Sequence, residues 1–129
     1  MIILFIYTIL ILIVYLKFMS VKINYKNNSS NKNPSNVVLF TDEKFSTIGL
    51  KKQISNAEYS FISDLVKSKN LKKEIISFDI SSKRKIILVS IKKNIKLYEV
   101  EKLGAKFYDL YKELRQNNFN INTNTLSSN

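Results

Sequence analysis

The apolar positions change period several times along the chain, and each change marks an element. Asn36-Val37-Val38-Leu39-Phe40-Thr41 is apolar at consecutive positions, the pattern of a strand covered on both faces. Ser55 then opens a helix, because Ser55 and Glu58 form a capping box and Ile54 and Tyr59 can staple across it. Ala57, Phe61, Ile62, Leu65 and Val66 fall on one face of that helix, which should end near Lys69-Asn70, where a basic side chain suits the helix dipole. Ile76, Phe78 and Ile80 alternate with Ser77 and Asp79, predicting a strand. Ser81 to Arg84 turns the chain into the continuous apolar run Ile86 to Ile91, broken only by Ser90, and the two strands read as an antiparallel hairpin. From Leu97 to about Arg115 the stripe Val100, Leu103, Phe107, Leu110, Tyr111 and Leu114 predicts a second helix. Asn118 to Thr125 alternates Phe119, Ile121, Thr123 and Thr125 with asparagines and reads as a final strand. The order strand, helix, strand, strand, helix, strand predicts an α/β fold with a mixed β-sheet flanked by helices.

The N-terminal third has a different pattern. Ile2 to Leu16 is apolar except at Thr8 and has no polar face. As a helix it would span roughly 23 Å, short of the ~30 Å hydrocarbon core. A basic leading region and a small-residue cleavage site are both missing. Residues 1–18 therefore read as a leader, a short membrane anchor or sequence upstream of a true start at Met19. If they anchor the chain, Lys17, Lys22 and Lys26 keep the rest in the cytoplasm. Residues 19–36 read as a strand followed by a polar linker. Val21, Ile23 and Tyr25 alternate with Lys22 and Asn24, and an Asn- and Ser-rich stretch containing Pro34 and two glycosylation-type sequons at Asn27 and Asn28 follows. Residues 37–129 hold the α/β domain.

Composition narrows the chemistry. The 129-residue chain suits one modest domain. It has no Cys, which excludes disulfides and thiolate metal sites, and no His, which removes the commonest general base and zinc ligand. Two Gly are too few for the usual phosphate-cradling loops. The net charge of +11 comes from 21 Lys plus Arg against 10 Asp plus Glu. Such a balance suits nucleic acid or anionic lipid. The excess is nearly all Lys and travels with Asn and Ile, as AT-rich coding sequence would also give.

Candidate chemical groups are sparse. Asp109 and Glu113 lie one helical turn apart, which suits a solvated face better than an acid/base pair. Asp42-Glu43 follows a strand, where active-site loops often lie, but a turn or helix-start role suits it better. The pairs Lys51-Lys52, Lys72-Lys73 and Lys92-Lys93 sit at element ends without interleaved aromatics to stack bases. Tyr59, Tyr98, Tyr108 and Tyr111 read as core or rim residues. No catalytic, cofactor-binding or metal-ligating residue is assigned.

Lys85 to Lys93 followed by Val100-Glu101-Lys102-Leu103-Gly104-Ala105 resembles the N-terminal domain of the leucyl aminopeptidase family. There a strand of the type Arg-Val-Leu-Leu-Val-Gly-Leu-Gly-Lys leads into a helix of the type Leu-Arg-Lys-Ala-Gly-Gly. The resemblance runs from about Val37 to Leu126 and departs from the family pattern at Ser90, Lys92 and Ala105. It implies a macro-domain-like fold, incomplete at its C-terminus, and Gly104-Ala105 as a flat spot where the helix lies close to the sheet. The departures argue against ADP-ribose binding, which depends on Gly-rich loops. The family's activity is metal-dependent release of N-terminal amino acids from peptides, using two divalent metals (zinc or manganese) held by a C-terminal catalytic domain. Of that domain's motifs, Asn122-Thr123-Asn124-Thr125 matches only the first two residues of Asn-Thr-Asp-Ala-Glu-Gly-Arg, and the Lys followed by Phe-Asp-Ser-Gly-Gly is absent. The resemblance thus implies a non-catalytic domain, inactive alone, cytoplasmic, with the catalytic domain and a hexamer as its partners, truncated either as a fragmentary gene or at a contig end, which the sequence through Asn129 does not decide. A small single-pass anchored protein and a basic nucleic-acid-binding domain are the alternatives.

Overall fold

The computed structural model describes residues 6–7, 9–11, 21–24, 36–68, 71–114 and 118–128. Four strands form one mixed sheet: β1 (Asn36–Thr41), β2 (Ile75–Ser81), β3 (Arg84–Ser90) and β4 (Phe119–Asn122), in the order β2-β3-β1-β4. β1 runs parallel to both β3 and β4, whereas β2 and β3 form the expected antiparallel hairpin. Two helices, α1 (Asn56–Ser68) and α2 (Leu97–Tyr111), carry the crossovers. The α/β class and the mixed sheet read from the sequence are therefore present.

The sheet is covered on both faces because its two central strands are apolar at every step. Val37, Leu39, Ile86, Leu88 and Phe78 face α1 and pack with Phe45, Leu50, Ile54 and Ile62. Val38, Ile87, Val89 and Ile75 face α2 and pack with Tyr111. Ile86, Ile87, Leu88 and Val89 are all buried, as a strand covered on both faces requires. Both hairpin strands are apolar on the α1 side, where Ile76 and Ile80 flank Phe78 against the core.

The α1 cap is the one the sequence predicts. The Ser55 backbone N–H donates to Glu58 Oε2 at 2.9 Å, and the Glu58 N–H donates to Ser55 Oγ at 3.3 Å. The buried line of α1 differs from the expected one. Ile62 and Ser63 are buried, with Tyr59, Leu65 and Val66 packed beside Ile62, whereas Ala57 and Phe61 point outward. Tyr59 joins the inward face, packed against the core cluster that also holds Ile54.

The α2 stripe is also narrower than its sequence pattern. Leu103, Phe107, Tyr111 and Leu114 pack on the sheet, but Val100 and Leu110 are exposed. Gly104 is exposed too, and a Cβ built on it meets no atom within 4 Å. The expected flat spot against the sheet is therefore incorrect. Three rings settle the helix phase instead: Phe107, Tyr111 and Phe119 lie 4.8–5.6 Å apart, and this cluster rotates Gly104 away from the sheet.

Two strand readings also change. Residues 21–24 form no strand, and Val21 and Ile23 are exposed, so their alternation has no partner strand to fix it. Tyr25 and the linker, with its sequons, lie outside the described residues. The last strand stops at Asn122 and becomes a 3-10 turn over Thr123–Ser128. Thr125 causes that change of course. Its Oγ1 accepts from the Phe40 N–H at 2.8 Å and donates to the Asn122 carbonyl at 2.9 Å, folding the chain back over the end of β1.

Candidate functional site

The parallel strands β1, β3 and β4 end along one edge of the sheet, at Thr41, Ser90 and Asn122. From β1 the chain passes to α1 on one face, and from β3 it passes to α2 on the other. Adjacent parallel strands whose connections part to opposite faces leave a crevice beyond their carboxyl ends, the usual position of ligands in open α/β sheets.

That crevice is present as an open depression of about 600 Å³. Glu43 and Phe45 reach it from the β1 loop, and Ser90, Lys92 and Ile95 from the β3 loop. Leu71 to Glu74 form one wall, and the first turns of α2 form the other through Tyr98, Glu99, Lys102, Leu103 and Lys106. Its base is apolar: Phe45 is buried, and Leu71, Ile95 and Leu103 are half-buried.

The loop after β1 is built by Asp42. Its Oδ1 accepts from the Lys44 N–H at 3.0 Å and the Ser46 N–H at 2.8 Å, while its carbonyl accepts from the Phe45 N–H at 3.0 Å. This turn holds Phe45 at φ 55°, a left-handed conformation unusual for a bulky residue, and its ring anchors the loop in the α1-side core. The Ser90 hydroxyl donates to the Asp42 carbonyl at 3.2 Å, and the Ile91 N–H donates to the Thr41 carbonyl at 2.8 Å. Asp42 thus has the turn role read from the sequence, and Ser90 ties the two loops together.

Five lysines and three glutamates stand on the rim. Lys106 pairs with Glu74 at 2.9 Å, and Lys92 lies 3.6 Å from Glu99. Glu99 also accepts from the Lys96 N–H at 2.9 Å, and that bond, aided by Lys92, holds its carboxyl below the usual carboxylate range. Lys102 sits 5.7 Å from the Tyr98 ring centre. Lys72 and Lys73 have no ion-pair partner among the described residues. The arrangement can attract and hold anionic groups. It offers no nucleophile with an adjacent base.

A second, smaller depression of about 440 Å³ lies beside β4, lined by Phe40, Ser46, Lys52, Gln53, Asn124 and Thr125 among others. Asn122 reaches Gln53 Oε1 with its amide at 2.6 Å, a contact across 69 residues. Nothing in the local sequence links these two residues, which lie 69 positions apart. Asn122 and Thr125 hold the turn that follows β4. The other carboxylate candidates are dispersed: Asp109 pairs with Lys112 at 3.0 Å and Glu113 is exposed. Of the lysine pairs, Lys72-Lys73 and one member of Lys92-Lys93 meet at the crevice, while Lys51-Lys52 lies apart from it. Among the described residues, no group of three acidic side chains is placed to hold a metal ion. Nor is any helix there long and apolar enough to cross a membrane.

No family model, curated protein or solved structure matches this chain.

Proposed function

We propose that the chain is a non-catalytic N-terminal domain of the leucyl aminopeptidase type, whose partner is a metal-dependent catalytic domain. The observation that carries this reading is β3 with its sequel. Four consecutive residues, Ile86 to Val89, are buried on both faces, a short basic turn follows, and an amphipathic helix runs from Leu97 to Tyr111. That is the strand–turn–helix unit on which the resemblance rests, set in a mixed α/β sheet. The outward-facing Gly104 lends it no support. The absence of His and Cys accords with a domain that performs no chemistry itself.

Coding sequence beyond Asn129 tests the reading. The expected result is an in-frame continuation carrying the Lys and Phe-Asp-Ser-Gly-Gly motif and then the Asn-Thr-Asp-Ala-Glu-Gly-Arg motif. A stop codon or an unrelated domain there overturns it. In parallel, the 129-residue chain should not hydrolyse a leucine chromogenic substrate with manganese or zinc added. Metal-dependent turnover above a no-protein control would contradict the non-catalytic assignment.

A second reading, a membrane-anchored module, is favoured by one observation. Ile6, Tyr7, Ile9, Leu10 and Ile11 are helical and all exposed, with none packed in either core cluster. Carbonate extraction of membranes from cells expressing the chain separates the two. An anchored chain stays with the membrane, and a peripheral or unattached one is released.

A further inference from the structure

We propose that the crevice between the β1 and β3 loops is a docking groove for an acidic protein segment that also carries apolar side chains. This inference is independent of the aminopeptidase reading. It starts from composition: five of the fourteen lining residues are lysines, against 21 basic residues in the whole 129-residue chain. Two of the three rim glutamates are already engaged by Lys106 and Lys92. Lys72, Lys73 and Lys102 are exposed, Lys102 over the Tyr98 ring, and none is in an ion pair among the described residues. Five lysines against three glutamates leave the mouth of the groove net positive.

The base selects among anionic partners. Phe45, Leu71, Ile95 and Leu103 form an apolar floor, with the exposed Tyr98 ring at its edge. Leucine or phenylalanine side chains of a peptide can be buried there, whereas a phosphate backbone gains nothing from it. Glu43, which has no ion pair among the described residues, would repel a polyanion charged at every unit. A peptide can place a neutral or basic residue opposite it. A bilayer surface is too flat to reach a concave floor. Acidic side chains spaced between apolar ones therefore match both the rim and the base.

Fluorescence anisotropy of the full chain with a labelled peptide alternating Glu and Leu tests the proposal. The expected result is saturable binding that weakens severalfold from about 50 to about 200 mM salt. It should exceed the binding of a poly-Glu peptide of equal charge. The triple reversal K72E/K73E/K102E should lose at least about tenfold in affinity. The matched reversal K51E/K67E/K83E, away from the groove and equal in net charge change, should lose far less. Circular dichroism confirms that both variants remain folded. Equal loss in both variants would make the attraction one of bulk charge and overturn the site. Preference for poly-Glu, for a DNA oligonucleotide or for phosphatidylserine vesicles would overturn the acidic–apolar partner, as would absence of binding to the unmodified chain.

Discussion

The two faces of the sheet are covered by helices of similar amphipathic pattern but are closed to different degrees. On the α1 side nine buried residues among those described form a continuous aliphatic and aromatic core, and the helix is tied down at its start by the Ser55–Glu58 cap. Arg84 Nε donates to Glu58 Oε1 at 2.6 Å, with both side chains largely buried, so the cap is fastened to β3 as well. On the α2 side five of the described residues are buried, beside a trio of rings, and Leu97, Tyr98, Val100, Tyr108 and Leu110 remain exposed. Lys102 and Lys112 lie over the Tyr98 and Tyr108 rings and cover part of that surface. An apolar stripe states what a helix can bury. The side chains opposite it, and the polar ties at its ends, decide how much it does bury.

The contrast is tested most strongly at Leu88, which is fully buried on the α1 side. Leu88→Ala should cost about 3–5 kcal/mol, through lost transfer energy and the cavity left behind. Chemical denaturation measures it, and a loss under about 1 kcal/mol would show that the tighter face is not the α1 face. Phe107→Ala removes the middle ring of the α2-side trio and should cost about 2–3 kcal/mol, less than Leu88→Ala because Phe107 is only half-buried. A larger loss than at Leu88 would reverse the ranking.

The Arg84–Glu58 ion pair gives the α1 face a pH-dependent tie to β3. Burial by itself pushes the Glu58 carboxyl up, but the Arg84 guanidinium and the Ser55 hydrogen bonds outweigh it and hold the group below its ordinary value of 4.5. The unfolded chain then binds the proton more readily than the folded one. The stabilisation is present in full above about pH 4.5 and is lost as pH falls through the lower folded value. Glu58→Gln should cost about 1–2 kcal/mol at neutral pH and flatten the acid limb of a stability–pH curve. An unchanged acid limb would show that other carboxylates set it.

The smallest effects lie where neither face reaches. Gly104→Ala should stabilise the protein by about 0.5–1 kcal/mol, since it removes backbone freedom from a helix interior and the added methyl meets open space. A destabilisation would return Gly104 to the sheet. Beginning the chain at Met19 should leave the unfolding midpoint unchanged, because the described residues of the leading segment are absent from both cores. A lost transition on thermal unfolding would show that the segment packs into the domain.

Local signals were legible in the sequence, and those depending on distant partners were not. β1, the capping box at Ser55 and the β2–β3 hairpin are each specified within a few residues, and all three are present. The phase of α2 depends on Phe119, which meets Phe107 only because β4 pairs with β1. Val21 and Ile23 alternate as a strand would, but alternation creates no strand without an edge to join. The site was half legible. Asp42-Glu43 and the Lys72 and Lys92 pairs were visible as features of element ends. Their convergence follows from the crossovers leaving on opposite faces, which no local pattern records.

The pairing of β1 with β4 also sets the order in which the fold can be completed. β1 is the first strand of the sheet to leave a ribosome, yet β4 pairs with it some eighty residues later, and the Phe40–Thr125 hydrogen bond spans 85 residues. At ~5–20 residues per second the interval is about 4–17 s, far longer than a hairpin needs to close. During it the β2–β3 hairpin can form and dock on one side of β1, leaving the other side unpaired. An open strand edge is where nascent chains associate wrongly. The chain therefore passes through a period of exposure before β4 closes that side. Pulsed hydrogen exchange on chains released at increasing lengths would show it as the Val38 amide gaining protection only once β4 has emerged, and the Phe40 amide only once Thr125 has.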